Sequence, residues 1–340
     1  MRIQALVLRI VRQFKHDKRT VALMFIAPIF VLTLMSLVFN GAQYEPKLAV
    51  IDIPEHVKTA LTEQGAVLFD YTMEQAEQAL GDKEIDAIIG FDSSVPTVKL
   101  EGSDPTVNRS VLLMLQNVLQ SINPVATAKP QVEYLHGSAD MSSFDNFGPV
   151  LVSFFSFFFV FLLAGIAFLR ERTGGTLERL LSTPLKRTEI VVGYIIGFGI
   201  FAALQSILIA WFSIQILGLL MVGSFWYVLL ITLALALTAL TLGTLLSAFA
   251  ANEFQMIQFI PLVVVPQVFF SGLFNLETMV DWLRWFSYMM PLSYAADAMR
   301  DVMIRGAGWS QIAQDVYVLL GFSAVFAVAN IFALRKHRRI

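Results

Sequence analysis

The most constraining feature of the sequence is a run of fifty residues, 225–274, that contains a single charged side chain, Glu253. As one straight helix this run would extend about 75 Å at 1.5 Å per residue, whereas the hydrocarbon core of a bilayer is only about 30 Å thick. The run must therefore turn back on itself. The polar break at residues 250–253 is the place for the turn, since a carboxylate at the centre of a span costs about 2.5–3.5 kcal/mol. The sequence thus predicts two membrane spans, at residues 225–249 and 254–274.

Four more uncharged stretches reach the roughly 20 residues that a transmembrane helix needs. Composition agrees, because 56% of the residues are apolar and 15% are charged, against about 45–50% and about 25% in soluble domains. We therefore expect a polytopic α-helical membrane protein with six transmembrane helices. The four further spans are predicted at residues 21–39, 148–169, 190–217 and 316–334.

The Lys and Arg residues are unevenly distributed between the two sides of these spans. Fifteen of the 24 lie in residues 1–20, the loop 170–189 and the tail 335–340, which all fall on one side. Because cytoplasmic flanks retain positive charge, we expect a multi-pass protein of a bacterial cytoplasmic (inner) membrane with both termini cytoplasmic. A cleaved signal peptide is the alternative for the first span. Its nineteen apolar residues exceed the roughly 7–15 of a signal core, which favours an uncleaved anchor.

Residues 40–147, between the first two spans, alternate between strand and helix patterns and predict an extracytoplasmic α/β domain. This segment has sixteen acidic and six basic residues. We interpret the excess of negative charge as a means of keeping the domain soluble at the outer surface; a gate or receptor for a cationic or amphiphilic substrate is the alternative. Strands are predicted at 47–53, 66–71, 85–91 and 97–101, and helices at 54–64, 73–80 and 104–121, the last capped by Asp104.

The segment before the first span has its apolar residues at helical spacing. Basic and polar residues occupy the opposite side, which predicts an amphipathic helix over residues 1–20 lying in the cytoplasmic interface. A membrane tether and a mechanical role are both compatible with this pattern. The apolar positions are Ile3, Leu6, Val7, Ile10, Val11 and Phe14.

Catalytic and nucleotide-binding motifs are missing from the sequence. The four histidines are scattered, there is no cysteine, and neither a GxSxG elbow nor a GxxxxGK[ST] phosphate loop is present. We expect no enzyme activity, no metal and no cofactor on this chain. The net charge of −2 also disfavours a nucleic-acid partner. The spans have almost no ionisable residues, which argues against an ion-coupled carrier, although Pro261 and Pro266 could break span five and so leave that alternative open.

The loop 170–189 is the one internal cytoplasmic segment long enough to bind a partner that drives a conformational change. Gly174 and Gly175 allow a bend, an apolar ridge of leucines follows, and Pro184 stops the turn. This pattern predicts a short amphipathic helix that docks into a groove of a soluble partner, with a plain polar connection as the alternative. The ridge consists of Leu177, Leu180 and Leu181.

Two motifs resemble the ABC-2 type ABC transporter permeases. The first is Glu171-Arg172 followed by Gly175-Thr176-Leu177-Glu178, Leu181 and Thr183-Pro184; the second runs from Phe270-Ser271-Gly272 through Trp282 to Pro291, Tyr294 and Arg300. The resemblance implies the exporter subgroup with a large external domain after the first span. It implies a cytoplasmic helix that contacts separate ABC ATPase subunits, which hold ATP and Mg, and external re-entrant helices over residues 275–315.

The resemblance also implies roles for individual residues. ATPase coupling is expected of Arg170, Glu171, Arg172, Gly174, Gly175, Thr176, Leu177, Glu178, Leu180, Leu181 and Pro184, and the external re-entrant region is expected to include Ser271, Gly272, Pro291, Tyr294 and Arg300.

The function that these observations predict is the transmembrane subunit of an ATP-driven exporter. A second permease copy or a paralogue would complete the pathway within the lipid bilayer. The expected substrates are hydrophobic or amphiphilic molecules, which include drug-like, lipid-like and peptide compounds. Apolar surface for them is offered by the phenylalanines of the second span, with contact to lipid or packing against other helices as the alternative. The alternatives are a membrane-anchored sensor or assembly scaffold with an external ligand-binding domain, and an ion-coupled carrier. The phenylalanines are Phe154, Phe155, Phe157, Phe158, Phe159 and Phe161.

Overall fold

The computed structural model describes residues 2–39, 45–82, 84–92, 95–100, 105–122, 142–274, 282 and 285–336. It divides into two compact units, residues 1–41 with 134–340 and residues 42–133. In chain order the regular elements are α1 (Arg2–His16), α2 (Lys18–Phe39), β1 (Lys47–Ile51), α3 (Glu55–Glu63), β2 (Val67–Asp70), α4 (Met73–Gly81), β3 (Ala87–Asp92), β4 (Val95–Leu100), α5 (Pro105–Ile122), α6 (Ser143–Thr173), α7 (Thr176–Leu181), α8 (Arg187–Gln215), α9 (Phe225–Ser247), α10 (Glu253–Val268), α11 (Pro291–Met303) and α12 (Trp309–Lys336).

Among the described residues of the first unit, six helices are long and apolar enough to cross a membrane, which confirms the predicted number of spans. They are α2, α6, α8, α9, α10 with the π-helical turn that follows it, and α12. The turn between the fourth and fifth spans lies where the polar break predicts it. The side chain of Asn252 caps α10 by accepting a hydrogen bond of 2.9 Å from the Gln255 amide.

Several helix ends differ from the sequence prediction, and the prolines of the fifth span do not break it. The predicted 1–20 helix ends at His16, because Asp17 caps the next helix by accepting a hydrogen bond of 3.2 Å from the Thr20 amide. The sixth span begins at Trp309 rather than at residue 316. Polar residues such as Gln311 and Asp315 interrupt the apolar pattern of the sequence, but they still lie in the first turns of this helix. Neither Pro261 nor Pro266 ends α10; both lie inside it.

Close backbone packing joins α6 to α9 at the centre of the first unit. A Cβ added at Gly243 would lie 2.4 Å from the carbonyl oxygen of Phe161, and one at Gly165 would lie 3.3 Å from the carbonyl oxygen of Gly243. Small residues allow this approach, which is the usual basis of helix association in lipid. Buried polar groups join α9 to α12: Thr238 is 2.8 Å from the Ser323 hydroxyl, and the Asn330 amide donates to the Thr241 carbonyl at 2.9 Å.

The second unit is a four-stranded sheet in the order β2-β1-β3-β4, in which only β4 is antiparallel to its neighbour. Its strands and helices match the predicted pattern, with ends shifted by at most two residues. Helices α3 and α5 cover one face, where Leu48, Leu61 and Ile89 are buried, and α4 covers the other over Ala49 and Ile88. The proposed cap Asp104 lies outside the described residues. Placement of this unit outside the membrane stays a prediction.

Candidate coupling site

Three consecutive residues at the end of α6 bind different neighbours. Residues on a helix are separated by about 100° around its axis, so Arg170, Glu171 and Arg172 point in three directions. All three precede the short helix α7, which the sequence motif singles out. We call these three residues the α6 hub.

Glu171 is the centre of a buried polar cluster that joins three helices. Only 4% of its side chain is exposed. Its Oε2 accepts hydrogen bonds from Arg9 Nη2 of α1 at 2.8 Å and from the Tyr194 hydroxyl of α8 at 2.9 Å. Arg9 also donates to the Tyr194 oxygen at 3.0 Å. Each side chain therefore contacts the other two, and the charge of Glu171 is balanced within the protein.

The two arginines of the hub bind the remaining helix ends on this side. Arg170 donates from Nε to Glu253 of α10 at 2.7 Å, and its Nη1 lies 3.7 Å from the Asp17 carboxylate between α1 and α2. Arg172 donates to the carbonyl oxygens of Ala248 and Ala250, just past the end of α9. A cation there satisfies exposed carbonyls and complements the helix dipole. The hub thus contacts α1 and α8 through buried side chains, and it contacts the ends of α2, α9 and α10.

Helix α7 leaves the hub through a sharp bend. Gly174 caps α6, where an added Cβ would lie 2.9 Å from the Arg170 carbonyl oxygen, and Gly175 has a φ of 72°. That left-handed conformation favours glycine. Side-chain hydrogen bonds from Ser182 to Glu178 O and from Thr183 to Leu180 O then close the helix before Pro184. The bend and the stop lie where the sequence predicts them.

The leucine ridge on α7 is partly turned toward the core, contrary to the prediction that it faces a partner. Leu177 is only 1% exposed, and Leu180 and Leu181 are partly buried against the main core. Leu177 therefore packs onto the protein's own helices, whereas Leu180 and Leu181 keep part of their surface exposed. Glu178 and Arg179 form the exposed face, together with Ser182, Thr183 and Pro184. Assignment of this helix to ATPase coupling stays a prediction, and it now rests on the exposed face.

Helix α1 is packed differently from a helix that only lies in a lipid interface. Leu6 and Ile10 are buried against α8, at positions where an added Cβ on Gly193 or Gly197 would lie 2.4 Å and 2.8 Å from them. Phe14 stacks on Phe201 of α8, with ring centroids 4.7 Å apart. These contacts favour a mechanical role for α1 over a role as a membrane tether alone, because the apolar face of α1 packs against α8 and not only against lipid.

The predicted residues of the second motif come together around the π-helical turn Phe269–Leu273. Gly272 has a φ of 77°, and its carbonyl oxygen accepts a hydrogen bond from Arg300 of α11. Burial lowers the pKa of the Arg300 guanidinium, and the neighbouring Asp297 carboxylate opposes that shift. Ser271 is buried and donates to Val268 O.

Pro291 and Tyr294 complete this second group. Pro291 is the first residue of α11, and the next amide, of Leu292, donates to the buried Gln267 side chain at 2.9 Å. The Tyr294 hydroxyl donates to the carbonyl oxygen of Tyr288 at 2.9 Å. The motif therefore holds α11 against the end of α10. Its placement outside the membrane stays a prediction, and residues 275–281 of the predicted re-entrant stretch lie outside the described residues.

The interpretation of the phenylalanines of the second span as free apolar surface is wrong for half of them. Phe157 and Phe161 are completely buried and stack with centroids 5.9 Å apart, and Phe155 is 8% exposed. Phe154, Phe158 and Phe159 are partly buried against the same core. A helix surrounded by neighbours buries rings on several sides, so ring count alone does not indicate an open surface.

Comparison with known proteins places the chain in a family. Residues 18–332 match the model of the ABC-2 family transporter protein. The chain is 29% identical over 189 residues to ABC transporter G family member 20 of Dictyostelium discoideum, an alignment that covers 55% of this chain and 26% of that one. It is 26% identical over 171 residues to the probable multidrug ABC transporter permease YbhS of Escherichia coli (strain K12), covering 50% and 43%.

A third relative is the linearmycin resistance permease protein LnrN of Bacillus subtilis (strain 168), with 25% identity over 196 residues that cover 53% of this chain and 48% of that one. The chain thus spans less than half the length of each of these curated relatives. The family match nevertheless covers most of the chain and includes all six candidate spans in whole or in large part. The chain belongs to the ABC-2 family of transporter proteins.

Proposed function

We propose that this chain is the membrane permease of an ATP-driven exporter and that a separate ABC ATPase subunit, which holds ATP and Mg, drives it through α7. The observation that carries this proposal is the α6 hub. A force applied to α7 reaches Arg170, Glu171 and Arg172 through the short Gly174-Gly175 bend, and these residues contact five other helices. Permeases of this family generally work with ABC ATPase subunits, and three of the relatives described above carry transporter or permease names.

The exposed face of α7 supplies the contact with the ATPase in this proposal. Glu178 and Arg179 carry opposite charges next to each other, and Leu177 beneath them is fixed in the core. A charged face on a helix that cannot rotate independently suits a docking contact, because complementary charges set the register of the two surfaces. Both termini and α7 lie in the cytoplasm in this proposal.

Charge reversal at the exposed face is the test of this contact. Glu178→Arg should lower ATP hydrolysis by the reconstituted permease and ATPase about tenfold or more, because like charges brought together across an interface cost several kcal/mol. Glu74→Arg is the matched control, since Glu74 is also exposed but lies on α4 of the second unit. Hydrolysis that is equal in the two variants and in the wild type would remove α7 from the contact.

Hydrophobic or amphiphilic molecules are the proposed cargo, moved outward by a pair of permeases, either two copies or this chain with a paralogue. The name of YbhS refers to multidrug transport, and that of LnrN to linearmycin resistance. The ion-coupled alternative predicts transport that continues without ATPase and stops with an uncoupler. The ATP-driven proposal predicts the opposite pattern in proteoliposomes.

A further inference from the structure

A cavity between the first and second spans has apolar walls and a charged end. It occupies about 160 Å³ and is bounded by the end of α1, by α2 and by α6. The walls are formed by Leu23, Met24, Leu163, Ile166 and Ala167. Leu23 is 63% exposed, so the cavity reaches the surface that faces lipid in a membrane.

The length and lining of the cavity suit an extended apolar chain. Its lining residues on α6 run from Phe159 to Arg170, which corresponds to about 16 Å along a helix axis. Every α6 residue of this lining before Arg170 is apolar. A cavity with such walls stays free of water and gains from an apolar occupant.

The charged end of the cavity lies next to the α6 hub. Gln13, Asp17, Thr20 and Arg170 line it there. Arg170 Nη1 is 3.7 Å from the Asp17 carboxylate, which is beyond hydrogen-bonding distance. Nε and Nη2 of Arg170 donate to Glu253 at 2.7 Å and 3.4 Å, so Nη1 is the group that can donate to a phosphate oxygen, as guanidinium N–H groups commonly do.

Further positive charge flanks this end. Arg12, Lys15 and Lys18 are exposed and lie within a few residues of Gln13 and Asp17. Basic residues beside a membrane attract anionic lipid head groups, by about fivefold in affinity for each charge. The carboxylates of Asp17 and Glu253 offset two of the positive charges, so the region retains a positive balance.

The geometry points to a binding site for an anionic phospholipid, with one acyl chain between α2 and α6 and the phosphate at Arg170. The site lies within one chain and needs neither a second permease nor an ATPase, so it goes beyond the proposed transport function. A lipid bound there lies between the first span, α2, and α6, the helix that carries the hub, and contacts both. The leaflet is the one on the side of α1 and α7.

Native mass spectrometry of the purified 340-residue chain tests this site, with dioleoyl phosphatidylglycerol and dioleoyl phosphatidylcholine as probes. We expect phosphatidylglycerol to bind one site about tenfold more tightly than phosphatidylcholine. Ala167→Phe fills the cavity and should weaken phosphatidylglycerol binding about tenfold. Val325→Phe is the control, because Val325 is 63% exposed on α12. Replacing Arg12, Lys15 and Lys18 together by glutamine should reduce the preference for phosphatidylglycerol.

The outcomes separate the parts of the proposal. Unchanged binding to the Ala167→Phe variant would show that the cavity is not the site, and equal affinity for the two lipids would exclude recognition of an anionic head group. Ile166→Phe fills the same space and replaces Ala167→Phe if that variant does not fold. The measurement contains no ATPase and no cargo, so failure of the transport proposal would leave its result unaffected.

Discussion

Glu171→Leu is expected to destabilise the protein by about 2–3 kcal/mol, because it leaves Arg9 without its carboxylate partner. Removing one member of a buried ion pair typically costs about 3–5 kcal/mol, and the lower figure reflects the 33% of the Arg9 side chain that is exposed. Thermal unfolding in detergent measures the change. Glu178→Leu is the matched control and should have little effect, since Glu178 is exposed on the neighbouring helix.

A double variant separates loss of the charge pair from loss of packing. Arg9→Leu with Glu171→Leu removes both charges and should recover much of the stability lost in Glu171→Leu, because well-packed apolar residues often replace a buried pair at no cost. Failure to recover would indicate that Tyr194, which donates to Glu171 at 2.9 Å, depends on the carboxylate independently of Arg9. A Glu171→Leu variant as stable as the wild type would contradict the cluster altogether.

Gly243→Ala is the second variant with a large expected effect. The added Cβ would lie 2.4 Å from the carbonyl oxygen of Phe161 and 3.3 Å from the Gly165 amide nitrogen. These are backbone atoms of α6, so relief requires the two helices to separate. Overpacking typically costs about 1–3 kcal/mol, and we expect about 3 kcal/mol here because no side chain can move aside.

Gly199→Ala is the control for Gly243→Ala. Gly199 lies in α8, and nothing lies within 4 Å of an added Cβ, so alanine should be neutral or stabilise by about 0.5 kcal/mol through its helix propensity. The difference between the two thermal unfolding temperatures measures the effect. Equal temperatures would mean that α6 and α9 are not in backbone contact at Gly243.

The number of spans could be predicted from the sequence because hydrophobic length alone determines it. The fold-back at residues 250–253 is the clearest example, since a run of fifty residues with a single charge is too long to form one span. The bend at Gly174 and Gly175 could also be predicted, because glycine at a left-handed position is a local requirement. These features depend on neighbouring residues in the chain and not on tertiary contacts.

The direction in which side chains point could not be predicted. Leu177 and Glu171 were both expected at a partner surface, yet both are buried, because the position of α7 and the end of α6 depends on α1 and α8. Arg9 and Tyr194 are 185 residues apart in sequence, and no local pattern connects them. One usable signal was the pair Gly193 and Gly197, four residues apart on α8, which indicates close packing of another helix.

Single-cysteine labelling from the two sides of the membrane tests most directly the claim that an ATPase drives this chain through α7. The chain has no native cysteine, so a thiol introduced at Thr176 or at Glu77 is the only one present. Because the ATPase and its ATP are cytoplasmic in this account, we expect membrane-impermeant maleimide to label the Thr176→Cys variant only from the cytoplasmic side. The Glu77→Cys variant should be labelled only from outside. Labelling of the Thr176→Cys variant from outside would contradict the account.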